Sequence, residues 1–169
     1  DVNTPDEDGC TPIYTAAQNG HVDVIKALSD LGVDVNTPDE DGCTPIFMAA
    51  FRGHVDVIKA LCALGADVNT PTNNGCTPVY MASLRGHVDV IKALCAFGAD
   101  VNTPTNDGAT PICVAAQIGR VDVIKVLSAA GADVNIPNNR GVTPVFMAAV
   151  GGHTSAIKLL YKLGADMGV

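Results

Sequence analysis

Between residues 22 and 31 the chain reads VDVIKALSDL, with Ile25 and Leu28 three apart on one helical face and Val24 and Ala27 widening the apolar stripe. That pattern predicts a helix from Val22 to about Leu31, and Gly32 supplies its stop. Upstream, Thr11 before Pro12 predicts an N-cap followed by proline at the first helical position, where a missing N–H costs nothing. This first helix must be short, because Gly20 follows the proline by only eight residues. The polar stretches between helix pairs, such as DVNTPTNNG at 67–75, combine Asn, Pro, Asp and Gly and read as an extended arm with a tight turn.

The whole pattern returns every 33 residues. Gly9, Gly42, Gly75, Gly108 and Gly141 keep that interval, as do Thr11-Pro12, Thr44-Pro45, Thr77-Pro78, Thr110-Pro111 and Thr143-Pro144 and the series Gly20, Gly53, Gly86, Gly119 and Gly152. GHVDVIKALC stands unchanged at 53–62 and 86–95, with GHVDVIKALS at 20–29. The repeats run 6–38, 39–71, 72–104, 105–137 and 138–169, and residues 1–5 read as the tail of a preceding unit. No linker or insertion interrupts them, so residues 1–169 are expected to form a single repeat domain. One helix-turn-helix of this size cannot bury its own apolar face, whereas stacking five makes one continuous core with contacts confined to neighbours.

Gly-x-Thr-Pro, Ala-Ala-x-x-Gly-His and Gly-Ala-Asp-Val-Asn at this period resemble the ankyrin repeat, across essentially the entire chain. The resemblance implies an all-α repeat solenoid, an ankyrin-like stack of helix-turn-helix units joined by β-hairpin-like arms. It further implies that first helices line a concave groove, second helices form a convex back, and the surface recognises protein without chemistry. The family's usual His after Thr-Pro-Leu is replaced by Tyr14, Phe47, Tyr80, Cys113 and Phe146. These repeats are therefore expected to hold their first turn more by packing. Repeat one looks internal, which suggests a longer array cut at its N-terminus. Repeat five drifts most, with Met167-Gly168-Val169 in place of Val-Asn-Thr, and reads as a C-terminal repeat.

Composition narrows the picture. Of 169 residues 47% are hydrophobic but only 4% aromatic, with no Trp, so Ala, Val, Ile and Leu must fill the core. The net charge of -8 argues against a footprint for nucleic acid or anionic lipid. Residues 1–71 carry 12 acidic against 3 basic side chains, and residues 72–169 carry 6 against 7, so a basic partner fits the N-terminal part better. No apolar run approaches the roughly 18 residues of a membrane span, and no signal peptide is visible.

The chemical motifs are weak. His21, His54, His87 and His153, with Arg120 in the fourth copy, open the second helices. Zinc needs ligands about 2 Å from a common centre, while adjacent repeats lie roughly 8–10 Å apart, so helix starts and hydrogen bonds between repeats are the expected role. Cys10, Cys43 and Cys76 share one repeat position, Cys62 and Cys95 another, and Cys113 stands alone; without a Cys-x-x-Cys they read as reduced thiols. A Cys10–His21 nucleophile pair would sit at opposite ends of one helix with no carboxylate to orient it. Asp-Glu-Asp-Gly at 6–9 and 39–42 lacks the further ligands of a calcium loop and reads as a solvated turn.

A solenoid spreads function over the positions its fold leaves free, and these show where the repeats disagree. After Ala-Ala, or Ala82-Ser83 in the third copy, come Gln18-Asn19, Phe51-Arg52, Leu84-Arg85, Gln117-Ile118 and Val150-Gly151. The turn tips read Glu7-Asp8, Glu40-Asp41, Asn73-Asn74, Asn106-Asp107 and Asn139-Arg140, and the residue after the turn glycine varies as well. The resemblance implies that such positions contact partners. Phe51, Leu84, Ile118 and Val150 are expected to form an apolar strip, flanked by Arg52 and Arg85 and acidic toward one end, while Met48, Met81 and Met147 are assigned to the core. The expectation is a protein–protein interaction module, monomeric in isolation, taking a protein or peptide in its groove and on its turn tips. No catalysis, cofactor, metal, nucleic acid or membrane is expected, and the compartment is cytoplasmic or nuclear. The alternative is an architectural segment of a longer array with no dedicated partner.

Overall fold

The computed structural model describes residues 2–7 and 9–166. Ten helices follow in pairs: α1 Pro12–Gln18, α2 Val22–Asp30, α3 Pro45–Arg52, α4 Val55–Ala63, α5 Pro78–Arg85, α6 Val88–Ala96, α7 Pro111–Gln117, α8 Val121–Ala129, α9 Pro144–Val150 and α10 Thr154–Lys162. Every first helix starts as its sequence predicts. Thr11, Thr44, Thr77, Thr110 and Thr143 are N-caps in extended backbone, each followed by the proline. Their Oγ1 atoms accept from the N–H three residues on at 3.3–3.5 Å, the long end of a hydrogen bond, so proline's preset φ carries much of the helix start.

The helices form two rows. First helices pack on first helices (α1 on α3, α3 on α5, α5 on α7, α7 on α9), and second helices pack on second helices, more loosely. Unequal packing between two rows bends a stack toward the tighter one. Between the rows runs the main core, filled by Ile13, Ile46, Ile58, Leu61, Ile91, Ile112, Ile124 and their neighbours, with alanines where the first helices approach closely. Val57, Val90 and Val123 are at most 1% exposed, but their equivalent Val24 is 46% exposed, because that position packs on the preceding repeat. Val24 therefore widens a stripe that meets a neighbour only from repeat two onward.

A second, smaller cluster lies on the other side of the first helices. Tyr14, Phe47 and Met48 are buried there, with Cys10, Cys43, Phe51, Cys76 and Met81 packed against them. Helix α3 is thus covered on both sides, and Pro45 to Ala50 are all buried. Of the replacements for the usual histidine, Tyr14, Phe47 and Cys113 are buried and Tyr80 is half-buried, as expected, but Phe146 is 57% exposed. The threonine cap is retained throughout, and Tyr14 adds a bond of its own. Its hydroxyl donates to Asp39 Oδ2 at 2.8 Å, in the next repeat.

The arms make turns without a strand among the described residues. In repeat two the Gly42 N–H donates to the Asp39 carbonyl and the Asp39 N–H to the Cys43 carbonyl, both at 3.0 Å. Asp39 Oδ1 also accepts from the N–H groups of Asp41 and Cys43, at 3.0 and 2.7 Å. The Asp39 carboxylate is thus engaged by the turn and by Tyr14.

Three sets of hydrogen bonds join one repeat to the next. Asn36, Asn69, Asn102 and Asn135 each donate Nδ2 to the glycine carbonyl 29 residues on, at 3.1–3.3 Å, and accept at Oδ1 from the Asp N–H 31 residues on, at 2.8 Å. His54, His87 and His153 bond through Nε2 to the carbonyls of Gln18, Phe51 and Gln117 at 3.0–3.1 Å. A carbonyl only accepts, so these rings carry the proton on Nε2. The junction role expected for the histidines is what the structure shows for His54, His87 and His153, while His21, in repeat one, is exposed. At the turn tips, Asn73, Asn106 and Asn139 donate Nδ2 to the carbonyls of Glu40, Asn73 and Asn106 at 2.9–3.0 Å.

Candidate functional site

One face of α3 and the first half of α5 meet the turns of repeats two and three around a pocket of about 340 Å³. Phe47, Met48, Phe51 and Met81 give it an apolar wall, Cys43 and Cys76 line it, and Asp41, Thr72 and Asn74 border it on the turn side. Phe47 and Phe51 share a helical face because they are four residues apart. Sequence comparison among repeats selected Phe51, Asp41 and Asn74 here but left Met48 and Met81 in the core. Met48 is buried and Met81 half-buried, and both still reach the pocket. Their place on the Phe51 face was the available signal.

Two guanidinium groups converge on Phe51. Arg52 Cζ lies 5.3 Å and Arg85 Cζ 4.6 Å from the ring centroid, within cation–π range. Both arginines are exposed, and among the described residues the ion pairs are Lys59–Asp56 and Lys92–Asp89, neither involving them. The pocket thus has a cationic edge at the helix ends and an acidic residue, Asp41, at the turn.

The other sequence-derived positions divide by what their atoms already do. The tip amides of Asn73, Asn106 and Asn139 are committed to the inter-repeat ladder. Asp41, Asn74 and Asp107 offer their carbonyls to the next tip's N–H at 2.9–3.1 Å and leave their side chains in solvent. Glu7 and Glu40 are exposed, Arg140 is exposed, and Asp8 lies outside the described residues. Asn19 caps α1 and returns its Nδ2 to the Thr15 carbonyl at 2.9 Å. Gln18 and Gln117 hold histidines of the next repeats through their carbonyls, Gln18 half-buried and Gln117 with its side chain exposed.

The apolar strip is discontinuous. Counting by 33 from Phe51 gives Leu84, Gln117 and Val150, so a glutamine interrupts it, and Ile118 occupies the place of Arg52 and Arg85. Phe51 and Leu84 are half-buried, whereas Ile118 is 36% and Val150 70% exposed. Concavities of about 480 and 460 Å³ also lie elsewhere. One contains Val145, Phe146 and Ala149 of repeat five, the other Cys10, His21 and Val24 of repeat one. Both are end faces: Phe47 and Val57, the equivalents of Phe146 and Val24, are buried by an adjoining repeat.

The thiols of Cys43, Cys62, Cys76 and Cys95 are not poised as nucleophiles. Burial, and then the carboxylates of Asp39 and Asp41, pushes the Cys43 thiol up to about 12, and burial raises Cys62 to about 11. Burial also raises Cys76 and Cys95, partly opposed at Cys76 by a hydrogen bond with Thr72. Tyr14 is raised by burial and by its bond to Asp39. Among the described residues no three His, Cys, Asp or Glu side chains come together as a metal site would need. The site therefore offers shape, an apolar wall and charge at its rim.

A family model described as ankyrin repeats (3 copies) matches residues 1–72, 64–138 and 102–169. Comparison with curated proteins finds no match.

Proposed function

Because the chain belongs to the ankyrin-repeat family, whose repeats are in general protein–protein interaction modules, we propose that it binds a protein or peptide along its first-helix row and turn tips. The observation that carries this reading is the pocket at Phe51. A half-buried aromatic ring, an apolar wall and two unpaired guanidinium groups lie side by side on a surface that solubility alone would leave polar. Apolar centres with charged edges are the usual anatomy of a protein interface. Exposed positions such as Glu7, Glu40, Arg140 and Ile118 then act as the rim.

An architectural role is the second reading, favoured by one observation: Phe51 packs on the smaller cluster and so has a folding role too. The two separate in one titration. A partner captured on the intact chain is measured against wild type and against the Phe51→Ala/Leu84→Ala variant, with folding followed by circular dichroism. Loss of affinity with folding retained supports the binding module; unchanged affinity with unchanged folding removes the groove from consideration. No helix among the described residues is long and apolar enough to cross a membrane.

A further inference from the structure

Arg52 and Arg85 stand out in a chain whose net charge is -8. Both Cζ atoms lie near one ring centroid, at 5.3 and 4.6 Å, so the two cations are at most about 10 Å apart. That is about one Debye length at physiological salt, close enough for the charges to repel. No carboxylate compensates them among the described ion pairs. Placement in a last helical turn suits each arginine to its helix dipole, but it does not explain why both side chains turn onto the same ring. Each Cζ lies over the Phe51 ring, and neither guanidinium group is engaged in the ion pairs of the described residues, which leaves N–H groups to donate.

Resting on the protein-binding reading, we propose that this site selects a partner segment in which an apolar side chain fills the pocket and an aspartate or glutamate, adjacent or next but one, bridges Arg52 and Arg85. The spacing follows from geometry. Phe51 is both a pocket wall and the platform under the guanidinium groups, and an extended chain advances about 3.3 Å per residue. A carboxylate is the group whose charge and two acceptor oxygens match the guanidinium edges. Asp41 across the pocket disfavours the reverse orientation, since the acid would then face a carboxylate.

The test is selection of random 12-residue peptides displayed on phage against the intact 169-residue chain, followed by fluorescence anisotropy with the enriched sequences. Enriched peptides are expected to share an apolar residue with Asp or Glu within two positions. Changing that acid to its amide should weaken binding about tenfold or more, and Arg52→Gln/Arg85→Gln should cost the same with no further loss when the two changes are combined. The charge-reversed Arg52→Glu/Arg85→Glu chain should prefer peptides carrying Lys at the acidic position. If Phe51→Ala, or Phe51→Leu should the alanine variant not fold, abolishes binding while the peptides lack an acid or ignore the arginine changes, this inference fails and the binding-module reading stands. If no peptide binds, or binding ignores the changes at Phe51 and Leu84, both fail.

Discussion

The Nε2 atom of His87 lies 3.1 Å from the carbonyl oxygen of Phe51. The backbone of the residue at the centre of the candidate site is therefore held by the next repeat. Replacing His87 with Ala removes a part-buried hydrogen bond and is expected to cost about 1 kcal/mol or somewhat more. His87→Arg should cost less, because Arg120 occupies the same place in repeat four and its guanidinium lies over Gly86. Urea unfolding of the two variants measures the difference, and equal losses would contradict it.

Gly53 and Gly65 separate two costs of adding a methyl group. Both have positive φ, +85° and +90°, but a Cβ on Gly53 would lie 2.9 Å from the His87 ring whereas one on Gly65 meets nothing within 4 Å. Gly65→Ala should cost roughly 1–2 kcal/mol for the left-handed backbone alone. Gly53→Ala should cost more, by an amount that shrinks when His87 is also replaced. Thermal unfolding of the single and double variants reads this coupling.

The tip ladder predicts a stabilising change. Asn106→Ala should lose about 0.5–1.5 kcal/mol, since it deletes the 2.9 Å bond to the Asn73 carbonyl. At the first junction Glu40 stands where later tips have asparagine, and the tips are farther apart. A Cβ on Gly9 would sit 3.2 Å from the Glu40 nitrogen, against 2.6 Å for Gly75 and Asn106. Glu40→Asn should let the new amide reach the Glu7 carbonyl and raise hydrogen-exchange protection in repeat one; unchanged protection would contradict the ladder's role.

The buried thiols give an alkaline signature. Cys43 and Cys62 titrate near 12 and 11 in the folded chain, above the ordinary thiol value of about 8.5. A folded pKa raised above the unfolded one means that the unfolded chain loses protons first as pH rises. Stability should therefore be constant below about pH 8 and fall between about 9 and 12. The urea midpoint followed from pH 7 to 11 should show that fall, reduced in Cys43→Ser/Cys62→Ser. At pH 7.5 both thiols should react with iodoacetamide more slowly than in urea.

The fold was legible because its signals are local. Thr-Pro, the helix-stopping glycines and the Val22–Leu31 stripe each fix a helix end or face within one repeat, and the period extends them. Histidine's junction role was legible as well, since Arg120 in the fourth copy is poor metal chemistry. The site was legible only in part. Comparing repeats treats variation as freedom, yet the change from Glu40 to Asn73, Asn106 and Asn139 decides whether neighbouring tips are tied. The strip failed for a related reason: Ile118 is apolar but one residue out of step with Phe51 and Leu84. Convergence of Arg52 and Arg85 on one ring depends on side chains from two repeats, which no single-repeat pattern encodes.

The asparagine clasps join residues at constant offsets of 29 and 31, and the histidine bonds span 36. Each 33-residue unit therefore carries half of the fastening to the unit before it and half of that to the unit after. A gene segment of 99 nucleotides, gained or lost in frame by unequal recombination, leaves every surviving junction with its partners in place. Growth and shrinkage by whole units thus preserve the inter-repeat fastening, whatever the number of copies.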